Sequence, residues 1–169
     1  MPLKKSTLPP VILILLAFFI YSGGNGAISK EIQFSAQYYN DQGLSSFNEG
    51  FYDLLPRGEK EAADLCFRHA ITFFEKAIEI DADFTEAHRN LARVYFVRKE
   101  YTPAVEEYKK VVALAPYDMD ARLAIASAYT KLGMNDEAVE QLTAAKNFSD
   151  DPAVIEKLDR LIEGIDGTD

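Results

Sequence analysis

The sequence predicts an all-α solenoid of three stacked helix–turn–helix units closed by a further helix, and three observations predict it. Ala70, Ala104 and Ala138 stand 34 residues apart; Phe74, Tyr108 and Leu142 keep that step, as do Ile71, Val105 and Val139, and Ile80, Leu114 and Phe148. A period of this length is that of stacked helical repeats. Small residues also recur where two antiparallel helices must cross, beside large ones that fill the adjoining hole: Ala92 and Ala104 with Tyr95 and Tyr108, then Ala126 and Ala138 with Tyr129 and Leu142. Finally, Val154, Ile155, Leu158, Leu161 and Ile162 form an apolar stripe backed by Glu156, Lys157, Asp159 and Arg160, as a terminal helix with one covered and one wet face requires.

The second unit, 85–118, and the third, 119–150, are regular. Thr102-Pro103 reads as a cap followed by proline at the first helical position, and Asn135 as the cap of the helix carrying Ala138. Gly133 suits the helix exit between them, and Asp151-Pro152 opens the terminal helix, 151–164, before a frayed tail, 165–169. Glu106 is placed to pair with Lys110 four residues on. The first unit, 36–84, is irregular. Tyr39, Gly43, Phe47, Gly50 and Tyr52 read as a first helix and turn only if about 15 extra residues precede Ala70. The insertion is expected at 56–69, lengthening the second helix backwards through the helix formers Glu59 to Leu65; a plain loop is the alternative, given Pro56-Arg57-Gly58.

Residues 1–27 read as an address. Lys4 and Lys5 precede an unbroken apolar run, Val11 to Tyr21, and small residues follow. Eleven residues span only about 17 Å as a helix against roughly 30 Å of bilayer hydrocarbon, which favours a secretory signal. Stretching the span over 8–28 gives a retained anchor at the cost of including Pro9, Pro10 and glycines. Either reading places the body outside the cytoplasm, periplasmic or secreted in the first case and membrane-tethered in the second, with 28–35 as a linker. No cysteine follows the run, so no lipoprotein anchor is expected there.

In all, 18 Lys and Arg stand against 27 Asp and Glu, a formal charge of -9; loss of Lys4 and Lys5 leaves 16 against 27, or -11. Attraction to nucleic acid or anionic lipid is therefore not expected, and the membrane enters only through the N-terminal segment. Cys66 is the single cysteine, which excludes an internal disulfide and a cysteine-rich zinc site. It stands three residues before His69, the spacing of a thiol and its base on one helical face, but without a further helper residue it reads as a buried side chain. His88 reads as packing, since two histidines with no third ligand make no metal site. No phosphate-cradling loop, nucleophile elbow or zinc-protease helix occurs, so no enzyme, cofactor, metal or small-molecule substrate is expected.

His88, Leu91, Ala92, Tyr95, Ala104, Tyr108, Val111 and Pro116 in the second unit resemble the tetratricopeptide repeat, with His88 where the family often has Trp. Arg122, Ile125, Ala126, Tyr129, Gly133, Ala138, Leu142 and Ala145 repeat the match in the third, with Asp150 where Pro is usual. The resemblance implies a right-handed superhelix whose first helices line a concave, partner-binding groove. Carried over, the ligand-facing positions are Gln37, Asn40, Leu44, Phe47 and Asn48; Glu86, Arg89, Arg93, Phe96 and Val97; and Asp120, Leu123, Ser127, Thr130 and Lys131. The chaperone-binding clamp of the family is matched only by Asn90, so heat-shock chaperone tails are not the expected ligand.

The expected function is that of a non-catalytic protein-binding adaptor. A peptide or protein segment would lie against Asn40, Leu44, Phe47, Arg89, Arg93, Phe96, Leu123, Ser127 and Lys131, with the two arginines gripping a carboxylate. The rival for those residues is a solvated face with arginine stems laid over neighbouring rings. The alternative function is a structural subunit of an envelope assembly that docks through its convex face or inserted helix. If the alanines mark the crossings, Ala104→Leu overpacks one of them and costs about 1–3 kcal/mol; an unchanged thermal melt would contradict the assignment.

Overall fold

The computed structural model describes residues 34–166, so the expected signal or anchor at 1–27 and the last residues of the tail lie outside the described residues. Among the described residues the chain is all-α, with seven α-helices: α1 (Ala36–Asn48), α2 (Lys60–Ile80), α3 (Thr85–Val97), α4 (Tyr101–Leu114), α5 (Met119–Leu132), α6 (Asn135–Lys146) and α7 (Pro152–Asp166). Each packs on the next in the chain, which makes three hairpins and a closing helix, a superhelical repeat fold. No helix among the described residues is long and apolar enough to cross a membrane.

Small residues do set the approach of the helices. Ala70, Ala104 and Ala138 are fully buried, as are Ala92 and Ala126 on the helices that face the last two. In the first hairpin the matching place on α1 is Gly43, where an added Cβ would lie 2.6 Å from the ring of Phe74. Gly50, seven residues on, sits as tightly against Phe67. On α2 the fully buried Ala63, Ala70 and Ala77 recur at that same interval of seven, a coiled-coil-like seam. Phe47, Phe67 and Phe74 fill it, and Leu91 and Val94 of α3 join that cluster. Ala92 of α3 instead belongs to a second cluster with Tyr108, Ile125, Ala126, Tyr129, Leu142 and Leu158. One helix thus serves two cores.

The extra residues of the first unit are shared between both helices rather than added to the second alone. α1 continues through a π-helical turn, Glu49–Leu54, and a 3-10 turn, Leu55–Arg57, so Gly50 and Tyr52 lie in a helix and the reversal comes at Gly58. Among the described residues, Gly58, Lys99 and Gly133 are the left-handed ones, with φ of 78°, 64° and 73°. Each is followed by an N–H that donates five residues back, Glu59 to Leu54, Glu100 to Tyr95 and Met134 to Tyr129, so all three first helices end in the same motif. Gly58 precedes Lys99 by 41 residues, seven more than the period, while Ala36 precedes Thr85 by 49, fifteen more. The second arm therefore gains seven residues, two turns, and the first gains eight. The wider π turn absorbs the odd residue and keeps the arms in register.

Because Lys99-Glu100 and Gly133-Met134 reverse the chain in two residues, no separate cap fits between the helices. α4 accordingly begins at Tyr101 and α6 at Asn135, so Thr102 and Asn135 are not the expected caps. Ser35 caps α1 by accepting from the Tyr38 N–H, 3.1 Å, and Asp151 caps α7 by accepting from the Ala153 N–H, 2.9 Å. In α7, Leu158 is buried while Leu161 of the expected stripe is exposed; Ile165 packs on the core in its place, and the helix runs on to Asp166.

Polar ties join the units where hydrophobic contact ends. Asp118 caps α5, its Oδ1 accepting from the Ala121 N–H at 2.9 Å, while its Oδ2 accepts from Arg89 Nη2 of α3. That arginine, then burial working against it, and then the backbone N–H leave the Asp118 carboxyl below its usual range. Arg98 at the end of α3 reaches Asp64 on the lengthened α2, 3.4 Å, and Lys146 of α6 reaches Asp159 of α7, 2.5 Å. His88 is buried with both nitrogens engaged, Nδ1 with Glu107 Oε2 at 2.6 Å and Nε2 with the Ala82 carbonyl at 2.9 Å. Glu107, not Glu106, pairs with Lys110, at 2.7 Å.

Gly43→Ala gains up to about 1 kcal/mol of helix propensity but loses about 1–3 kcal/mol against the enclosed Phe74 ring, so the urea midpoint falls. A raised midpoint would show that the ring yields. Asp118→Asn keeps a good cap and removes the charge. At neutral pH it costs about 1 kcal/mol, the lower end for a charged hydrogen bond because Arg89 is about one-third exposed. The folded pKa is lowered, so this stability is present above the ordinary carboxylate range and is lost as pH falls through the folded value. Melting curves of the two proteins therefore converge in acid; a pH-independent gap would refute the assignment.

Candidate peptide-binding groove

The first helices of the units, α1, α3 and α5, present the residues that the resemblance nominates, and the structure sorts them into three kinds. Asn40 and Phe47 are core, each 3% exposed. The Asn40 Oδ1 accepts from Asn90 Nδ2, 3.0 Å, tying α1 to α3. The Phe47 ring stacks on Phe51, centroids 5.5 Å apart, and tilts against Phe67 at 5.8 Å. Neither offers a side chain to a guest, because helices that cross this closely draw the positions between them inwards. The expected contacts at these two residues are therefore withdrawn from the site.

Arg89 is spent on the Asp118 carboxylate, and this hydrogen bond, more than the opposing burial, raises its guanidinium pKa. It ties α3 to the start of α5 rather than waiting for a ligand. Tyr108 of α4 stands behind the two arginines, its hydroxyl pKa raised by burial against the lowering pull of Arg93 and Arg89.

Six residues remain at the surface. Arg93 is exposed, its guanidinium carbon 5.2 Å from the centroid of the Phe47 ring, and among the described residues it makes no ion pair. The cation is thus pinned from below by the π face and open above. Leu44 packs half-buried on the first core; Phe96 and Leu123 do so on the second, with Phe96 edge-on to Tyr101 at 5.3 Å. Ser127 and Lys131 are exposed on α5. The arrangement is a run of apolar footholds on rigid helices with a positive group at its centre, framed by the exposed Glu86 and Asp120. It can hold a carboxylate and large apolar side chains; it contains no nucleophile–base pair.

Cys66 does not change that. It is half-buried, and burial first, then the charge of Glu49, then a hydrogen bond to that carboxylate, push its thiol above the usual range, opposite to what a nucleophile needs. No group of three or more His, Cys, Asp or Glu among the described residues is placed to hold a metal. Asp118 is the residue that sequence reasoning missed. An aspartate three positions before Ala121 is an N-cap signature, and starting the unit at Met119 left it in the loop.

Comparison with known proteins follows the same lines. Residues 120–151 match the family model described as tetratricopeptide repeat. A stretch of 62 residues is 37% identical to the human antiviral innate immune response effector IFIT1; it covers 36% of this chain and 13% of that protein. Among solved structures, the type III secretion translocator chaperone SycD of Yersinia enterocolitica superposes with a TM-score of 0.60 at 15% identity, over 85% of this chain and 94% of SycD. YrrB does so with a TM-score of 0.57 at 15% identity, over 76% of this chain and 59% of YrrB. One tetratricopeptide repeat is thus matched by sequence at 120–151, and the superhelical repeat fold is matched along most of the chain by solved structures.

Proposed function

We propose that this chain is a non-catalytic adaptor that holds an extended segment of a partner protein across α1, α3 and α5. The carrying observation is Arg93, an exposed guanidinium fixed over Phe47 and flanked by the half-buried Leu44, Phe96 and Leu123. An acidic or C-terminal carboxylate of the guest meets Arg93, neighbouring apolar side chains settle on the footholds, and Lys131 and Ser127 steer the far end. The solenoid fold is generally a scaffold rather than a catalyst. Two structural neighbours are, by their own descriptions, a translocator chaperone and a protein with an unusual peptide-binding site, which supports the reading. The layout of residues 1–27 supports work outside the cytoplasm, in the periplasm or beyond, or at the membrane through an anchor.

A docking role in an envelope assembly is the second reading, and the lengthened first hairpin favours it. Its two extra turns carry Tyr52 and Leu65, 61% and 47% exposed, out beyond the shorter units.

The groove is tested by a photo-crosslinking residue at Ser127 in envelope fractions, with and without Arg93→Glu. We expect crosslinked partner to fall at least about tenfold, the loss of a charge-assisted contact of roughly 1.4 kcal/mol or more, while the thermal melt stays put. Undiminished crosslinking from a folded variant removes the groove. Loss on Tyr52→Ser/Leu65→Ser instead would favour the docking reading.

A further inference from the structure

The first and last helices of the stack are finished differently. α7 closes the last unit with Glu156, Lys157 and Arg160 exposed, the polar outer face that the end of a repeat array requires. α1 departs from that rule. Counted from the helix starts at Ala36, Thr85 and Met119, Tyr38 holds the place of Ala87 and Ala121, which are fully buried. Tyr38 is 38% exposed, and Phe34, four residues before it, is 41% exposed. Where the later units need an alanine to fit inside the stack, the first unit carries a large ring left partly in solvent.

That ring belongs to a cluster. Phe34 stacks on Tyr38 with centroids 4.2 Å apart, and Tyr39 stands edge-on to both, at 6.1 and 5.5 Å. Tyr39 also stacks on Phe73 of α2 at 6.4 Å, and the exposed Lys76 ammonium lies 5.6 Å from the Tyr39 centroid. Rings with an apolar body and a polar tip are the side chains that settle at a membrane–water interface. The place in the chain agrees. Phe34 comes six residues after residue 28, where the anchor span 8–28 ends. Six residues reach about 20 Å when extended and about 9 Å as a helix, and the headgroup layer is itself roughly 6 Å deep on each side of the hydrocarbon. A soluble partner has no reason to meet this corner rather than another, whereas a bilayer that holds the anchor is never farther from it than that reach.

We infer that Phe34 and Tyr38, backed by Tyr39 and Phe73, rest in the headgroup layer of the membrane that holds residues 8–28; this rests on the anchored form of the function proposed above. The chain carries a formal charge of -9, so the contact is one of rings with neutral headgroups rather than of charge with anionic lipid. Lys76, the cation of the cluster, is available to a headgroup phosphate. This second attachment, beside the covalent one, fixes which end of the solenoid meets the bilayer. It uses none of the groove residues, so membrane and guest are held together.

The test is fluorescence of the full chain reconstituted into phosphatidylcholine vesicles whose acyl chains are either ordinary or brominated. The chain contains no tryptophan, so Tyr38→Trp supplies a single indole. Its emission is expected to fall by about half or more in the brominated vesicles, while that of Tyr117→Trp, at a position 79% exposed between the second and third units, stays unchanged. Phe34→Trp takes its place if the first variant does not melt cooperatively. Flotation of the same vesicles reads the anchor separately. A chain that floats with its indole unquenched overturns the contact and leaves the anchor standing; a chain that does not float overturns both. Equal quenching of the two indoles, which marks unspecific adsorption, or an indole already blue-shifted without vesicles and unquenched with them, which marks rings covered by protein, would also overturn the inference.

Discussion

Everything in this fold rests on how closely antiparallel helices approach. Where α1 meets α2, Gly43 and Gly50 lie against Phe74 and Phe67 with no room for a further carbon. In the two later hairpins, buried Ala92 and Ala104, then Ala126 and Ala138, hold the corresponding places beside Tyr108 and Leu142. A small residue alone gains little on burial; its use is that it lets a ring from the partner helix fill the gap at crystal-like density. Once those contacts fix the spacing of the hairpins, the order of helices on the binding face, the width of the junctions and the reach of Arg89 to Asp118 all follow.

The same constraint explains how the first unit tolerates fifteen additional residues. A close-packed hairpin can grow only by whole turns that repeat the seam, and both arms must grow together. Seven residues on α2 satisfy this directly, and Ala63 and Phe67 extend the pattern of Ala70 and Phe74. Eight on the other arm do not, and the π-helical turn at Glu49–Leu54 takes up the surplus. Backbone strain is located elsewhere, at Lys99, a residue with a side chain in the left-handed conformation that Gly133 and Gly58 adopt without one. Such a residue costs about 1 kcal/mol, which the identical hydrogen-bonded motif and the Arg98 ion pairs to Asp64 and Glu100 offset.

Several cations of this acidic chain are occupied by carboxylates. Arg89, Arg98, Lys110 and Lys146 each pair with a carboxylate and fasten one helix to another, or one turn to the next. Arg93 differs because its partner is a ring, which anchors the cation without neutralising it. Arg122 is held in the same way over Phe148, but there the chain supplies both the ring beneath and Tyr117 beside it. Comparing repeats with each other therefore separates residues that complete the structure from residues left with a face to offer.

The helical repeat, its period and its small-to-large pairing are legible in the sequence because each depends on local spacing: the alanines at 34-residue steps, Gly133 at a helix exit and Asp151-Pro152 at a helix start stand where they read. The size of the first unit's excess is legible too, from the distance between Gly43 and Ala70. Its division between two helices is not, since a π turn has no residue signature and Gly58 differs from any loop glycine only by its hydrogen bonds. Nor does spacing tell an exposed stripe from a buried one at a crossing, so Asn40 and Phe47, nominated with Arg93 on one face, prove to be core. The sequence by itself determined the repeat, because periodicity is a property of one chain segment at a time. Only the tertiary structure decided which arginine is free, because that depends on what a residue meets across the fold, Asp118 at the start of α5 for Arg89 and the face of Phe47 for Arg93.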